Sequence, residues 1–194
     1  MTHLKAGVLA LVLLTVAVPV FADWGTGSAV STKAPNREGR WDIGIMGAGA
    51  FNKDFDDGAY VQTQVSYGVT PWIGVGLEVG YQKNDGSWDG ETVELLPVLI
   101  DCIVRVPTLH ESIVPYGVFG LGIMGAWVTN DNTNDVDSTG LVWKLGLGAD
   151  WFFHPNWIAY VEAAYFNGDH KFYDRSSVED VDFGTFGGGI KYVN

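Results

Sequence analysis

The chain has 194 residues, 47% of them hydrophobic and only 18% charged, with a formal net charge of −12. That length suits one domain with its own core, and the acidic balance excludes nucleic acid and other polyanions as partners. A single cysteine, Cys102, excludes an intramolecular disulfide framework, while 26 glycines and 8 tryptophans point to closely packed strands with rings at interfaces.

Lys5, the apolar stretch from Ala6 to Val18 and the small residues of Val20-Phe21-Ala22 read as a signal peptide over residues 1–22, cut after Ala22. The apolar run is shorter than the ~20 residues of a spanning helix. No later run approaches that length, because Gly, Asp or Lys interrupts each one. An exported product is then either soluble or a barrel. Residues 23–39, DWGTGSAVSTKAPNREG, are polar and small and are expected to form a flexible periplasmic leader.

From residue 40 onward the apolar period is two, the strand signature. Eight segments recur, at 40–52, 59–69, 72–83, 92–106, 114–128, 140–153, 157–167 and 181–193. Each is near the ~9 to 11 residues of a tilted membrane strand, or somewhat longer. One parity is apolar or small throughout: Trp41, Ile43, Ile45 and Phe51 in the first segment, Val75, Leu77, Val79 and Tyr81 in the third, Leu96, Val98, Ile100, Cys102 and Val104 in the fourth. Leu121 and Ile123, then Leu141, Trp143, Leu145 and Leu147, then Val161 and Tyr165, and finally Phe186, Ile190 and Tyr192 continue it. A charge against hydrocarbon costs roughly 2 to 4 kcal/mol at mid-bilayer, so this uncharged face is what lipid selects. The expected fold over residues 40–194 is all-β: an eight-stranded antiparallel up-and-down transmembrane β-barrel.

The opposite parity carries Gln62, Gln64, Ser66, Glu78, Gln82, Asp101, Arg105, Lys144, Glu162 and Lys191 among many glycines. In so small a barrel the lumen is filled by side chains, and buried charges pair. The expected structural network sets Glu78, Asp101 and Glu162 against Arg105 and Lys144. Inward glycines such as Gly148 and Gly189 leave space that either admits Tyr116, Met124 and Tyr160 or leaves a channel.

Connections alternate. Thr70-Pro71-Trp72, 106–113 and His154-Pro155-Asn156 are short, whereas 53–58, 84–91, 129–139 and 168–180 are longer and polar. Short turns are expected to face the periplasm and long loops the outside. Aromatics form two expected girdles, Trp41, Trp72, Phe153 and Trp157 at the periplasmic ends and Phe51, Tyr81, Trp127 and Tyr165 at the other.

On these segments the chain resembles the small eight-stranded outer-membrane β-barrel superfamily, the OmpA transmembrane domain, OmpX and OmpW-like group. The stretches that carry the likeness are Leu96-Pro97-Val98 leading to Arg105, the run PYGVFGLGIMGAW from Pro115, and LGLGADWFFHPNWIAYVEAAY. The closing FGGGIKYVN resembles the terminal strand read by the barrel-assembly machinery. The resemblance implies outer-membrane localisation, contact with outer-membrane lipid and lipopolysaccharide, and a monomer. No soluble cell-wall-binding domain is expected after Asn194.

Some relatives of this kind are lipid A deacylases or acyltransferases, which need a serine within reach of a histidine base. Here His110 and His154 lie at turns and His170 near Ser176 and Ser177 in an outer loop, with no His-x-Ser pair on a strand, so no enzyme is expected. The outer loops are acidic, with Asp54, Asp56, Asp57, Asp85, Asp89, Glu91, Asp131, Asp135, Asp137, Asp169, Asp174, Glu179 and Asp180. DNTNDVD at 131–137 lacks the turn Gly and distal Glu of a calcium loop, so neither a dedicated metal site nor a cofactor is expected. Cys102 reads as a small lipid-facing filler. The functional expectation is a structural or surface-interaction barrel with acidic loops and a filled lumen. The alternative is a narrow OmpW-like conduit for small hydrophobic solutes or ions.

Overall fold

The computed structural model describes residues 36–52, 57–85, 91–106, 112–130, 136–171 and 178–194. Eight antiparallel strands close in chain order into one barrel: β1 Trp41–Asn52, β2 Gly58–Gly68, β3 Ile73–Asp85, β4 Glu91–Arg105, β5 Ile113–Asn130, β6 Val136–His154, β7 Trp157–Lys171 and β8 Val178–Val193. β8 returns to pair with β1, from Asp42↔Val193 to Asn52↔Phe183, so no strand edge is left open to lipid. The expected signal peptide, the leader up to residue 35, His110, Ser176, Ser177 and most of DNTNDVD lie outside the described residues.

Register fixes the dimensions. Following Cα partners from Asp42 through Ser66, Gly76, Asp101, Gly120, Lys144, Phe166 and Phe183 returns to β1 at Asn52, a shear of ten residues along one strand. With a rise of about 3.3 Å and strands about 4.8 Å apart, eight strands at this shear tilt by about 40° around a backbone radius of about 8 Å. That interior is about two side chains across.

Alternation sorts the wall. Val75, Leu77, Ile100, Leu121, Leu141, Leu145, Leu147 and Phe186 are exposed, while their neighbours Gly74, Glu78, Asp101, Gly120, Lys144 and Val142 are buried. On β4 and one residue past it the outward residues from Leu96 to Val106 are uncharged; at the assigned tilt they cover about 25 Å, the height of an outer-membrane apolar band. Above them Lys83 and Glu94 face each other across the β3–β4 ladder, the first outward charges toward the long-loop end.

The last four strands run further than hydrophobic alternation predicts. The β5–β6 ladder reaches Val128↔Val136 and the β7–β8 ladder Lys171↔Val178, so Val136, Lys171 and Val178 fall in the segments expected as loops 129–139 and 168–180. Beyond the lipid both faces of a strand meet water, so the two-residue pattern ends while the backbone ladder continues. At the opposite end the turns are tight. Thr70 Oγ1 accepts from the Trp72 and Ile73 amides at 3.2 and 2.9 Å, fixing the β2–β3 turn around Pro71.

Candidate functional site

Inward side chains form three layers along the barrel. At the centre Lys144 Nζ on β6 lies 2.7 Å from Glu78 Oε2 on β3 and 2.7 Å from Glu162 Oε1 on β7, all three buried. Tyrosines cap the same carboxylates: Tyr116 OH donates to Glu162 Oε2 at 2.8 Å and Tyr60 OH to Glu78 Oε1 at 3.2 Å. Beside them Gln64 Nε2 donates to Asp101 Oδ2 at 2.7 Å. Parity alone puts these groups inside; the radius brings strands on opposite walls within reach of one lysine.

The short-turn end holds a second ionic layer. Asp42 takes Arg105 Nη2 at 3.0 Å and pairs with Arg37, while Asp150 takes Arg37 Nη2 at 3.0 Å and Lys191 Nζ at 3.1 Å. Lys191 Nζ also lies over the rings of Tyr116 and Tyr160, at 4.6 and 4.0 Å. Such contacts let a cation replace part of its lost hydration.

Toward the long-loop end the filling turns apolar. Phe166 and Phe183 stack with centroids 4.5 Å apart, and Tyr60 meets Phe166 edge-on at 5.6 Å. Leu95, Leu99, Met124 and Val142 are buried on the same inward parity. Above this layer Gln82 Nε2 donates to Asn52 and Asn84 at 3.0 and 2.8 Å.

Close approach to bare backbone makes room for the rings. A Cβ on Gly189 would meet Tyr160 Cε1 at 2.8 Å, and one on Gly148 would run into the Tyr116 ring. The inward glycines thus admit Tyr116 and Tyr160.

Of the five charges read from sequence, Lys144, Glu78 and Glu162 meet. Arg105 does not join them; it lies near the short-turn end of β4 and pairs with Asp42. Asp101 lies beside the three and accepts from Gln64. Asp42 and Asp150 were missed although their parity is inward, because they stand at the ends of the alternating segments. Arg37 carried no signal at all: it precedes the first strand, in the segment read as leader, and its side chain is buried in the barrel.

Trp41, Phe51, Trp72, Phe153 and Tyr165 are exposed on the outer wall, with Tyr81, Trp127 and Trp157 half-buried there. Trp41 packs on Tyr67 at 5.0 Å and Trp157 on Tyr192 at 5.3 Å. Cys102 is exposed on the same face. His154 sits in the β6–β7 turn, where Nδ1 accepts from the Asn156 amide at 3.3 Å.

The sequence model of the outer membrane protein β-barrel domain matches residues 8–193. The chain belongs to this family. This outer-membrane barrel resembles solved structures at low identity. The neisserial surface protein NspA aligns with a TM-score of 0.68 and 17% identity, over 80% of this chain and 99% of that one. Ail, the attachment invasion locus protein of Yersinia pestis, gives 0.55 and 20%, over 81% and 99%. A second structure of Ail, in complex with the heparin analogue sucrose octasulfate, gives 0.56 and 18%, over 81% and 99%. OprG, an outer membrane protein of Pseudomonas aeruginosa, gives 0.51 and 16%, over 84% and 98%. A search of curated proteins finds no match. The likenesses establish the fold, and family membership establishes residence in the outer-membrane bilayer.

Proposed function

We propose that this barrel is a structural and surface-interaction element of the outer membrane, closed to solutes by its own side chains. The observation that supports it most is the filling of the lumen: Lys144, Glu78, Tyr60, Phe152, Phe166 and Phe183 are all inward and almost fully buried. A backbone radius of about 8 Å leaves little beyond such a packing. The short turns face the periplasm and the long loops face outward. A signal peptide over 1–22 exports the chain, and the barrel-assembly machinery inserts it as a monomer among lipid and lipopolysaccharide.

The outward loops work through acidic groups. Asp57 and Asp169 are exposed at the long-loop end, and the net charge is −12. Ail is known in complex with the heparin analogue sucrose octasulfate; the net negative charge of this chain favours instead cationic partners or divalent ions bridging to lipopolysaccharide phosphates. Catalysis has no part in this reading.

Planar-bilayer recording on the purified protein tests the closure. Bare-membrane current is expected; stable unitary steps would replace this function with the OmpW-like conduit for small hydrophobic solutes or ions.

A further inference from the structure

The short-turn mouth holds a buried guanidinium, that of Arg37. Asp42 and Asp150, on the non-adjacent strands β1 and β6, bond separate nitrogens of the Arg37 guanidinium, and its carbon lies 5.1 Å from the centre of the Phe152 ring. Two carboxylates beside an aromatic face match a planar cation with several donors; an ammonium offers neither the plane nor the fork. All four side chains are buried. The backbone delivers Arg37 by a hook. Gly39 adopts φ 74°, a left-handed conformation open to glycine. Its amide donates to Gly68 O at 2.8 Å, and the Gly68 amide donates back to Arg40 O at 2.9 Å. Arg40 Nε then reaches Asn194 O at 2.6 Å, tying the hook to the end of the chain.

We propose that Asp42, Asp150 and Phe152 form a guanidinium-binding site at the short-turn mouth, and that its occupant is the chain's own Arg37, which makes residues 36–40 a plug. The charge of the interior agrees. Among the described residues the buried acids are Asp42, Glu78, Asp101, Asp150 and Glu162, and the buried bases supplied by strands are Arg105, Lys144 and Lys191. Arg37 brings in a further cation from outside the wall. Free guanidinium compounds compete for the same seat.

Amide hydrogen exchange by NMR, on the folded protein in detergent micelles, tests the proposal. In the wild type the Gly39 amide is expected to be protected, and both Arg37→Ala and Arg37→Lys to accelerate its exchange by about tenfold or more. The Gly47 amide in β1 reports whether the barrel is intact. Independently of any variant, methylguanidinium added to the wild type accelerates Gly39 exchange, and methylammonium at equal concentration does not. Arg37→Lys matching the wild type, or equal effects of the two added cations, overturns the guanidinium site. Arg37→Ala matching the wild type overturns the plug.

Discussion

Lys144 and Glu78 meet at 2.7 Å although β6 and β3 share no ladder. The contact crosses the interior and joins two walls, and Glu162 completes it from β7. Losing Lys144 leaves two buried carboxylates with no ammonium between them. Breaking one partner of a buried pair costs about 3 to 5 kcal/mol. We expect Lys144→Ala to lower the unfolding free energy read from urea titration of the folded barrel by about 3 to 5 kcal/mol. Lys83→Ala, on the outer wall, should change stability by less than about 0.5 kcal/mol. Equal midpoints, read by heat-modifiable gel mobility, would show that the cross-barrel pair contributes nothing.

Wall polarity gives a second expectation. Val75 and Leu145 are exposed to lipid, whereas Gln64 is buried inside and bonded to Asp101. Val75→Arg and Leu145→Arg each set a charge against hydrocarbon at a cost of roughly 2 to 4 kcal/mol. Gln64→Arg instead brings a guanidinium to a carboxylate, so its folded yield in lipid vesicles should exceed that of both wall variants. The reverse order would invert the inside and outside of the barrel.

Two glycines on opposite faces should respond differently to one methyl group. A Cβ on Gly189 would run into Ile45 O across the β1–β8 ladder and meet Tyr160 Cε1 and Met46 Cα at 2.8 Å, while a Cβ on Gly47 meets nothing within 4 Å. Overpacking typically costs about 1 to 3 kcal/mol. Gly189→Ala is therefore expected to destabilise by that much and Gly47→Ala to stay near the wild type. Denaturant midpoints measured in one detergent decide between this and an interior with room to spare.

Parity explains how much was legible beforehand. Lipid forbids charge on one face, so Val75, Ile100 and Leu145 disclose their direction through their neighbours, and Glu78, Lys144 and Glu162 follow as inward. Which charges then meet depends on shear. A ring at constant register contains both Asp42 and Asn52, so sequence position along a strand does not give height in the barrel. That is why parity sets Arg105 against the central carboxylates, whereas in the barrel it pairs with Asp42. The apolar layer of Phe166, Phe183 and Leu95 was also underrated, because an inward parity was read as polar. Arg37 precedes every strand, and no periodicity could have placed it.

Closure in separate layers makes a last expectation about conduction. Arg37 and its partners occupy one end, Lys144 with Glu78 and Glu162 the middle, and the stacked Phe166 and Phe183 the next layer toward the long loops. Opening one layer leaves the others in series, and current through resistances in series follows the largest. Lys144→Ala alone and Phe166→Ala alone should therefore stay near bare-bilayer conductance even where stability falls. The triple variant Arg37→Ala, Lys144→Ala, Phe166→Ala removes bulk from each of these three layers and should pass measurable current if it remains folded, which gel mobility reports on the same sample. Full conductance in Lys144→Ala by itself would mean that the central pair is a single gate and that the aromatic layer does not obstruct the lumen.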